Sequence, residues 1–287
     1  MVDVIDTTDK LYLRKVSLQV VSGLGSSTLE GLRIAFDIEK TNEGVPNPAK
    51  IEVYNLSDKT RSILEDPGTR VILSAGYKDL FGVIFSGNIV RAKHKKKKKL
   101  QKTPVAHRYE GVDIVTEVEA ADGGNKYRNA YTVRAFPPGT KVQDVIKDLA
   151  TDFGMPANID YTSIPANAQY ANGHSIGQET RHALDDICRT HGLEWSIQNE
   201  VLQIISKDKT TKLGAILLNP KTGLIGSPVK TTSGCDFEAL LQPSLAPGCQ
   251  VKIESKFVNG MFKVRKVTHN GDSQEGDFLS RCEATLM

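Results

Sequence analysis

The chain has 287 residues, 39% hydrophobic and 25% charged, which is the composition of a folded globular protein with room for two or three domains. Its formal net charge is only +3, yet residues 91–108 hold nine Lys or Arg and no acid, so the remainder is a mildly acidic body with one basic spike. That excludes a generally basic nucleic-acid binder, which spreads Lys and Arg over a face, and with no stretch approaching eighteen apolar residues no membrane span is expected.

The N-terminal "MVDVIDTTDKLYLRK" has no basic region followed by an apolar run, and no signal peptide is read there. Up to about residue 125 the chain reads as strands. "YLRKVSLQVV", "LEGLRIAFDIEKT", "AKIEVYNLS", "TRVILSAGY" and "GVIFSGNIVRA" show period-2 alternation or short apolar runs, separated by Gly, Pro, Asn and Asp. Within this region "LSDKTRSILED" predicts a short helix capped by Ser57 or Asp58, and "GLGSS" (23–27) reads as a turn.

Residues 126–209 change character. "PPGTKVQDVIKDLATDFGM" predicts a helix. Thr140 and Gln143 have capping-box spacing, Val142, Val145, Ile146, Leu149 and Phe153 form one apolar stripe, and Gly154 is the stop. "GQETRHALDDICRTHG" predicts a second helix ended by Gly192, and "LEWSIQNEVLQIIS" a hairpin turning at Asn199-Glu200. From about 210 the chain returns to strands.

The first and last parts repeat one another. "DIVTEVEA" (113–120) aligns without gaps on "DFLSRCEA" (277–284), "PGTRVILSA" (67–75) on "PGCQVKIES" (247–255), and "GNIVRAKH" (87–94) on "FKVRKVTH" (262–269). The fold class expected is mainly β: two copies of one β-barrel-like domain, 1–125 and 210–287, with an α+β module at 126–209 inserted between them. Between His94 and Asp113 the first copy carries about eleven more residues than the second does between His269 and Asp277. The Lys-rich stretch 93–108 is therefore expected to be a projecting loop.

The segment "TGLIGSPVKT…FEALLQPSLAPGCQVKIESKFVNGMFKVRKVTHNGDSQEGDFLSRCEA" resembles the C-terminal part of baseplate hub proteins of long-tailed bacteriophages, which are related to the hub part of type VI secretion spike proteins. "NPAKIEVYNLSDKTRSIL" resembles the N-terminal part of that family, and the two helices its middle domain. The resemblance implies a virion protein made in the host cytoplasm. It implies a homotrimer whose two tube-like barrels per subunit make six, adapting a threefold spike to a sixfold tail tube. The implied partners are the tail tube protein, the central spike protein, the tape-measure protein and other baseplate proteins, with nucleic acid only in passage through the lumen. Poly-lysine has no counterpart in the family's pattern.

Candidate sites are surfaces. Lys93, Lys95, Lys96, Lys97, Lys98, Lys99 and Lys102 form a candidate partner-binding patch, read as a solvated loop, a dock for an acidic baseplate partner, or a contact for DNA or anionic membrane. Lysine acts as a point charge, and only Tyr109 supplies an aromatic ring nearby, so bidentate or stacking recognition of nucleic acid is disfavoured. The strands carrying Ile84, Ile89, Phe262 and Val264 are expected near subunit contacts. No catalytic residue, metal ligand or cofactor site is assigned. Cys188, Cys235, Cys249 and Cys282 lack Cys-x-x-Cys spacing and read as buried or free thiols; His182 and His191 read as helix surface or terminus. Glu117 and Glu119 share a strand face, and Asp185-Asp186 a helix surface. Two other functions compete with a hub role: a tail-associated cell-wall hydrolase, with its chemistry in the inserted module, and a nucleic-acid-binding module using the lysines.

Overall fold

The computed structural model describes residues 4–5, 11–99, 111–211 and 214–287. The first β region holds β1 (Val4–Ile5), β2 (Arg14–Ser22), β3 (Gly25–Leu29), β4 (Ile34–Thr41), β5 (Pro48–Tyr54), helix α1 (Asp58–Glu65), β6 (Arg70–Tyr77), β7 (Leu80–Lys99) and β8 (Gly111–Ala121). The middle region holds α2 (Gly124–Asn129), β9 (Tyr131–Phe136), β10 (Thr140–Lys141), α3 (Val142–Phe153), β11 (Ala157–Ile159), β12 (Gln169–Tyr170), β13 (His174–Glu179), α4 (Thr180–Thr190), β14 (Leu193–Gln198) and β15 (Val201–Ser206). The last region holds β16 (Ala215–Leu218), β17 (Leu224–Lys230), β18 (Gly234–Leu240), β19 (Gln250–Glu254), β20 (Asn259–Asp272) and β21 (Phe278–Leu286).

The repeat seen in the letters is a repeat of topology. In the first region the pairing order is β4-β5-β8-β7-β6-β2; in the last it is β17-β18-β21-β20-β19-β16. Both β7 and β20 carry a bulge at the same aligned place, between Ile89 and Arg91 and between Val264 and Lys266. One difference is the end strand: β2 runs antiparallel to β6, whereas β16 runs parallel to β19.

Two closed barrels are not what the hydrogen bonding shows. Among the described residues the two β regions form one continuous 14-stranded sheet, joined where β20 pairs antiparallel with β4 and where the short β1, although first in the chain, pairs parallel with β16 of the last region. The outer edge of β4 is thereby used up by the other copy and does not turn back to close the first region on itself.

Three buried clusters fill the molecule. Leu18, Ile34, Ile38, Ile51, Leu73 and Phe85 lie at the centre of the first. Val145, Ile146, Leu149, Phe153, Leu184 and Trp195 pack the second. Val251, Ile253, Phe262, Val264 and Val267 pack the third. The apolar stripe expected on α3 is the buried one, since Val142, Val145, Ile146, Leu149 and Phe153 all face the second cluster. Gly154 ends that helix in the left-handed conformation, φ +72°.

The start of α3 differs from expectation. Thr140 and Lys141 pair with Tyr170 and Gln169, so the chain stays extended there and Lys141 takes the cap position without a side-chain bond. Gln143 instead reaches out and donates to the carbonyls of Tyr161 and Ile164, both at 3.2 Å. At α1 the cap is Ser57, whose hydroxyl accepts from the Thr60 amide at 3.3 Å.

Leu149 is fully buried at the centre of the second cluster. Leu149→Ala should lower unfolding free energy by about 2–5 kcal/mol, read from the shift in urea midpoint.

Candidate functional site: paired and unpaired sheet edges

Lys93 and Lys95 to Lys99 are strand, not loop. Lys93 to Lys99 continue β7 and pair residue by residue with β8, from Lys93 opposite Glu117 to Lys99 opposite Gly111. The partner explains this: "VDIVTEV" in β8 is an alternating β-branched strand, and sheet propensity is decided by what lies alongside. Lysine is a tolerated edge residue because its charge keeps the edge solvated. Lys95 Nζ lies 2.6 Å from Glu117 Oε2, and Arg91 Nε 4.0 Å from Glu119 Oε2. Glu117 and Glu119 thus answer basic residues of the adjacent strand. Lys102 falls outside the described residues.

The two repeated histidines make the same bond in both copies. His94 Nδ1 is 2.9 Å from Thr116 Oγ1, and His269 Nδ1 is 2.9 Å from Ser280 Oγ. Their surroundings differ. The His94 side chain keeps 25% exposure and its Nε2 lies 3.0 Å from Glu65 Oε1. His269 is fully buried because β4 lies against its edge, with Ile38 opposite. Burial, helped by the Lys40 charge, pushes the His269 pKa down to about 3.

The outer edge of β7 from Arg91 onward is the counterpart of the β20 edge that β4 covers. Among the described residues it pairs with β8 alone. At the other end of the sheet β17, the counterpart of β4, pairs with β18 alone. Val229 on β17 is 64% exposed and Val90 at the β7 bulge 66%. The strand marker residues have a different fate. Ile84 is buried in the first cluster, Phe262 and Val264 in the third, and Ile89 packs partly buried against the first. Strand alternation turns these side chains inward, so they cannot themselves form a contact surface; their outward neighbours can.

The β14–β15 hairpin clamps the junction between the two β regions. It turns at Asn199 and Glu200, both left-handed at φ +54° and +65°, as a two-residue turn requires. Lys40 Nζ donates to Asn199 Oδ1 at 2.8 Å and to the Ile84 carbonyl at 3.1 Å. Glu200 accepts from Ser86 Oγ at 2.7 Å and pairs with Arg70. Asn47 Nδ2 donates to the Ile197 carbonyl at 2.6 Å and to Asp122 Oδ2 at 2.9 Å. Glu194 is shared: its Oε2 accepts from Asn42 Nδ2 at 2.9 Å, and its Oε1 pairs with the buried Lys263 of β20. Gly44 lies flat on the Trp195 indole, where an added Cβ would sit 2.5 Å from the ring. The hairpin and its Asn199-Glu200 turn are legible in the sequence, but its contacts across the junction are not, because they join segments up to 159 residues apart.

Desolvation dominates this cluster. It holds the Lys40 pKa down, to about 8, and pushes the Asp122 pKa up, to about 6, against the Asn47 hydrogen bonds that favour its ionised form.

The remaining candidates are structural. All four cysteines are buried and free. Burial raises the Cys188 and Cys249 thiols to about 12 and Cys235 to about 11, which makes them poor nucleophiles. His182 is exposed on α4 and His191 caps that helix. Asp185 accepts the Trp195 indole N–H at 2.8 Å, and Asp186 pairs with Arg189 on the surface. Among the described residues no group of three His, Cys, Asp or Glu could hold a metal, and no helix is long and apolar enough to cross a membrane.

A duplicated β topology, joined edge to edge and clamped by an inserted module, can be compared with known proteins. The family model described as baseplate hub gp41 matches residues 13–284. The chain belongs to that baseplate hub family. The fold agrees. The 43 kDa tail protein of prophage MuSo2 from Shewanella oneidensis superposes with TM-score 0.61 at 8% identity, covering 95% of this chain and 98% of that one. A tail protein from Neisseria meningitidis MC58 gives 0.59 at 11% identity, covering 96% and 97%. The E. coli c3393 protein, a component of the type VI secretion system with structural similarity to T4 tail proteins gp27 and gp5, gives 0.59 at 11% identity, covering 94% and 76%. No curated protein matches the hub chain in sequence. Its family is one of phage tail structural proteins.

Two outcomes test the hub's junction. Glu194→Ala leaves the 3%-exposed Lys263 ammonium buried without its carboxylate and should cost about 3–5 kcal/mol in chemical denaturation. His269 is neutral in the fold but takes up a proton freely once unfolded, so its contribution is complete above 6.5 and is lost as pH falls toward 3. Asp122 acts in the opposite sense, favouring the fold as it protonates between about 6 and 3.8. Both proteins retain Asp122, so the difference isolates the histidine: His269→Gln should lose less stability than the parent chain between pH 6.5 and the acid limit.

Proposed function

We propose that the hub is a trimer in which each subunit supplies two equivalent β units, so that six units form a ring between a threefold spike and the sixfold tail tube. Residues 1–125 and 210–287 are the two units, barrel-like in the ring, and 126–209 the clamp that fixes their mutual angle. The observation that carries this reading is the matched pairing order of the two β regions together with the β20–β4 junction. Two copies joined head to tail present one used and one unused version of the same contact. A heterologous contact of that kind forms a closed ring only when its rotation closes.

The partners in this reading are the tail tube protein above, the spike below, the tape-measure protein within and other baseplate proteins outside, all in the virion. Its work is done by interfaces and needs no cofactor. Native mass spectrometry over a range of concentrations tests the ring. A species near three times 31.4 kDa is the expected result. A dimer, a tetramer or a monomer that persists at every concentration overturns it.

A further inference from the structure

Among the described residues the β7 edge of the first copy from Arg91 onward has β8 as its one neighbour, and that edge is basic. The strands β4, β5, β8 and β7 correspond to β17, β18, β21 and β20 through the aligned bulge and the hydrogen-bond registers. Along one row of the sheet, Asn270 of β20 lies opposite Asp37 of β4, then come Lys50, Glu119 and Arg91 on successive strands. The same row in the second copy runs Val229, Asp236, Glu283, Lys266. Asp37 therefore corresponds to Val229, Lys50 to Asp236, Glu119 to Glu283, and Arg91 to Lys266. In β17 the three residues Gly226, Ser227 and Pro228 stand where β4 has Phe36 alone, within the irregularity between Ile225 and Val229.

Within the chain, the residue in the Asn270 position is Asn and the one two strands further is Lys50. In the unfilled contact the corresponding positions are Lys95 and Asp236. Both positions change together, the neutral Asn270 to a positive Lys95 and the positive Lys50 to a negative Asp236, which makes a complementary pair. Adjacent strands lie about 4.8 Å apart, so a lysine stem can cross Val229 to reach the Asp236 carboxylate. Asp236 and Glu283 are both exposed on that face; with Val229 they line a groove beside the β17 edge that also holds Lys266 and Arg281, the latter paired with Glu238 at 2.7 Å, which leaves Asp236 as the carboxylate nearest the edge. On the opposite face of the same ladder Lys230 would come opposite His94, whose Nε2 already lies 3.0 Å from Glu65.

We propose that the β7 edge from Arg91 to Lys96 pairs antiparallel with β17 of a second copy of this chain, with His94 opposite Lys230 and Lys95 opposite Val229, as β20 pairs with β4 inside one chain. The proposal rests on the ring reading and names its contact. The lysines then have two jobs. They keep an otherwise open edge from pairing with arbitrary strands, and they select the one β17 edge whose flank carries carboxylates. Lys95 is bonded at 2.6 Å to Glu117 of β8, on the side of β7 away from the open edge, so pairing with β17 has Lys95 exchange that carboxylate for Asp236.

The test is a disulfide placed at the predicted register. Residues directly opposite in an antiparallel pair have Cα atoms about 4.5–5.5 Å apart, within the range a disulfide spans. The full chain carrying Lys95→Cys and Val229→Cys together should, on mild oxidation, run as a covalent trimer on a non-reducing gel and return to single chains with reductant. Either substitution alone should give no covalent trimer. In parallel, Lys95→Glu should weaken the trimer several-fold in native mass spectrometry, and adding Asp236→Lys should restore it. A sample that is trimeric by mass but forms no disulfide at this register, and in which the charge swap rescues nothing, overturns the strand pairing and leaves the ring reading intact. A double-cysteine chain that is monomeric throughout overturns both.

Discussion

The rest of the molecule depends on the antiparallel ladder between β20 and β4. Seven residue pairs, from Lys266 opposite Thr41 to Asp272 opposite Ala35, turn two similar β regions into one sheet. Backbone hydrogen bonds made here satisfy an edge that would otherwise stand open to solvent or to other chains. The ladder also buries His269, which in the other copy, as His94, keeps part of its surface exposed. One repeated side chain with one repeated hydrogen bond thus lives in two environments, and the difference is the presence or absence of a neighbouring strand.

A ladder alone leaves twist and hinge angle soft, and the inserted module removes that freedom. Its β14–β15 hairpin reaches both sides of the junction: Glu194 holds Asn42 from one β region and Lys263 from the other. Lys40, Asn47, Asp122 and Glu200 surround that point with hydrogen bonds. Such buried polar groups cost desolvation, visible in the depressed Lys40 and raised Asp122 pKa values, and they are tolerable only because each is partnered. What they confer is geometry. In the proposed ring the angle between the two β units of a subunit would decide whether successive contacts close, and rigidity here would then bear on assembly.

The copies have diverged where their environments diverge. Inward-facing positions keep apolar or small residues, such as Ile51 and Phe237 or Ala120 and Ala284. The outward row differs in charge, with the positive Lys50 matched by the negative Asp236 and the neutral Asn270 by the positive Lys95. Core positions answer to packing inside one copy; edge and face positions answer to whichever strand comes next.

The sequence by itself determined the β-rich class, the Ser57 cap, the α3 stripe and its Gly154 stop, the Asn199-Glu200 turn and the internal repeat. These rest on periodicity, on conformations that few residues accept, and on short-range spacing, all of which are written locally. It misplaced the lysines because charge repulsion argues for a loop, whereas the β8 strand opposite them supplies a complete ladder. It placed a capping box at Thr140 because spacing cannot show that Thr140 and Lys141 are held extended by Gln169 and Tyr170. Only the tertiary structure decided that the two copies join through β20 and β4, that no barrel closes within the described chain, and that Glu194 grips both sides. Those contacts unite residues far apart in the chain, and hydrogen-bond register between distant strands leaves no mark on the local pattern of either one.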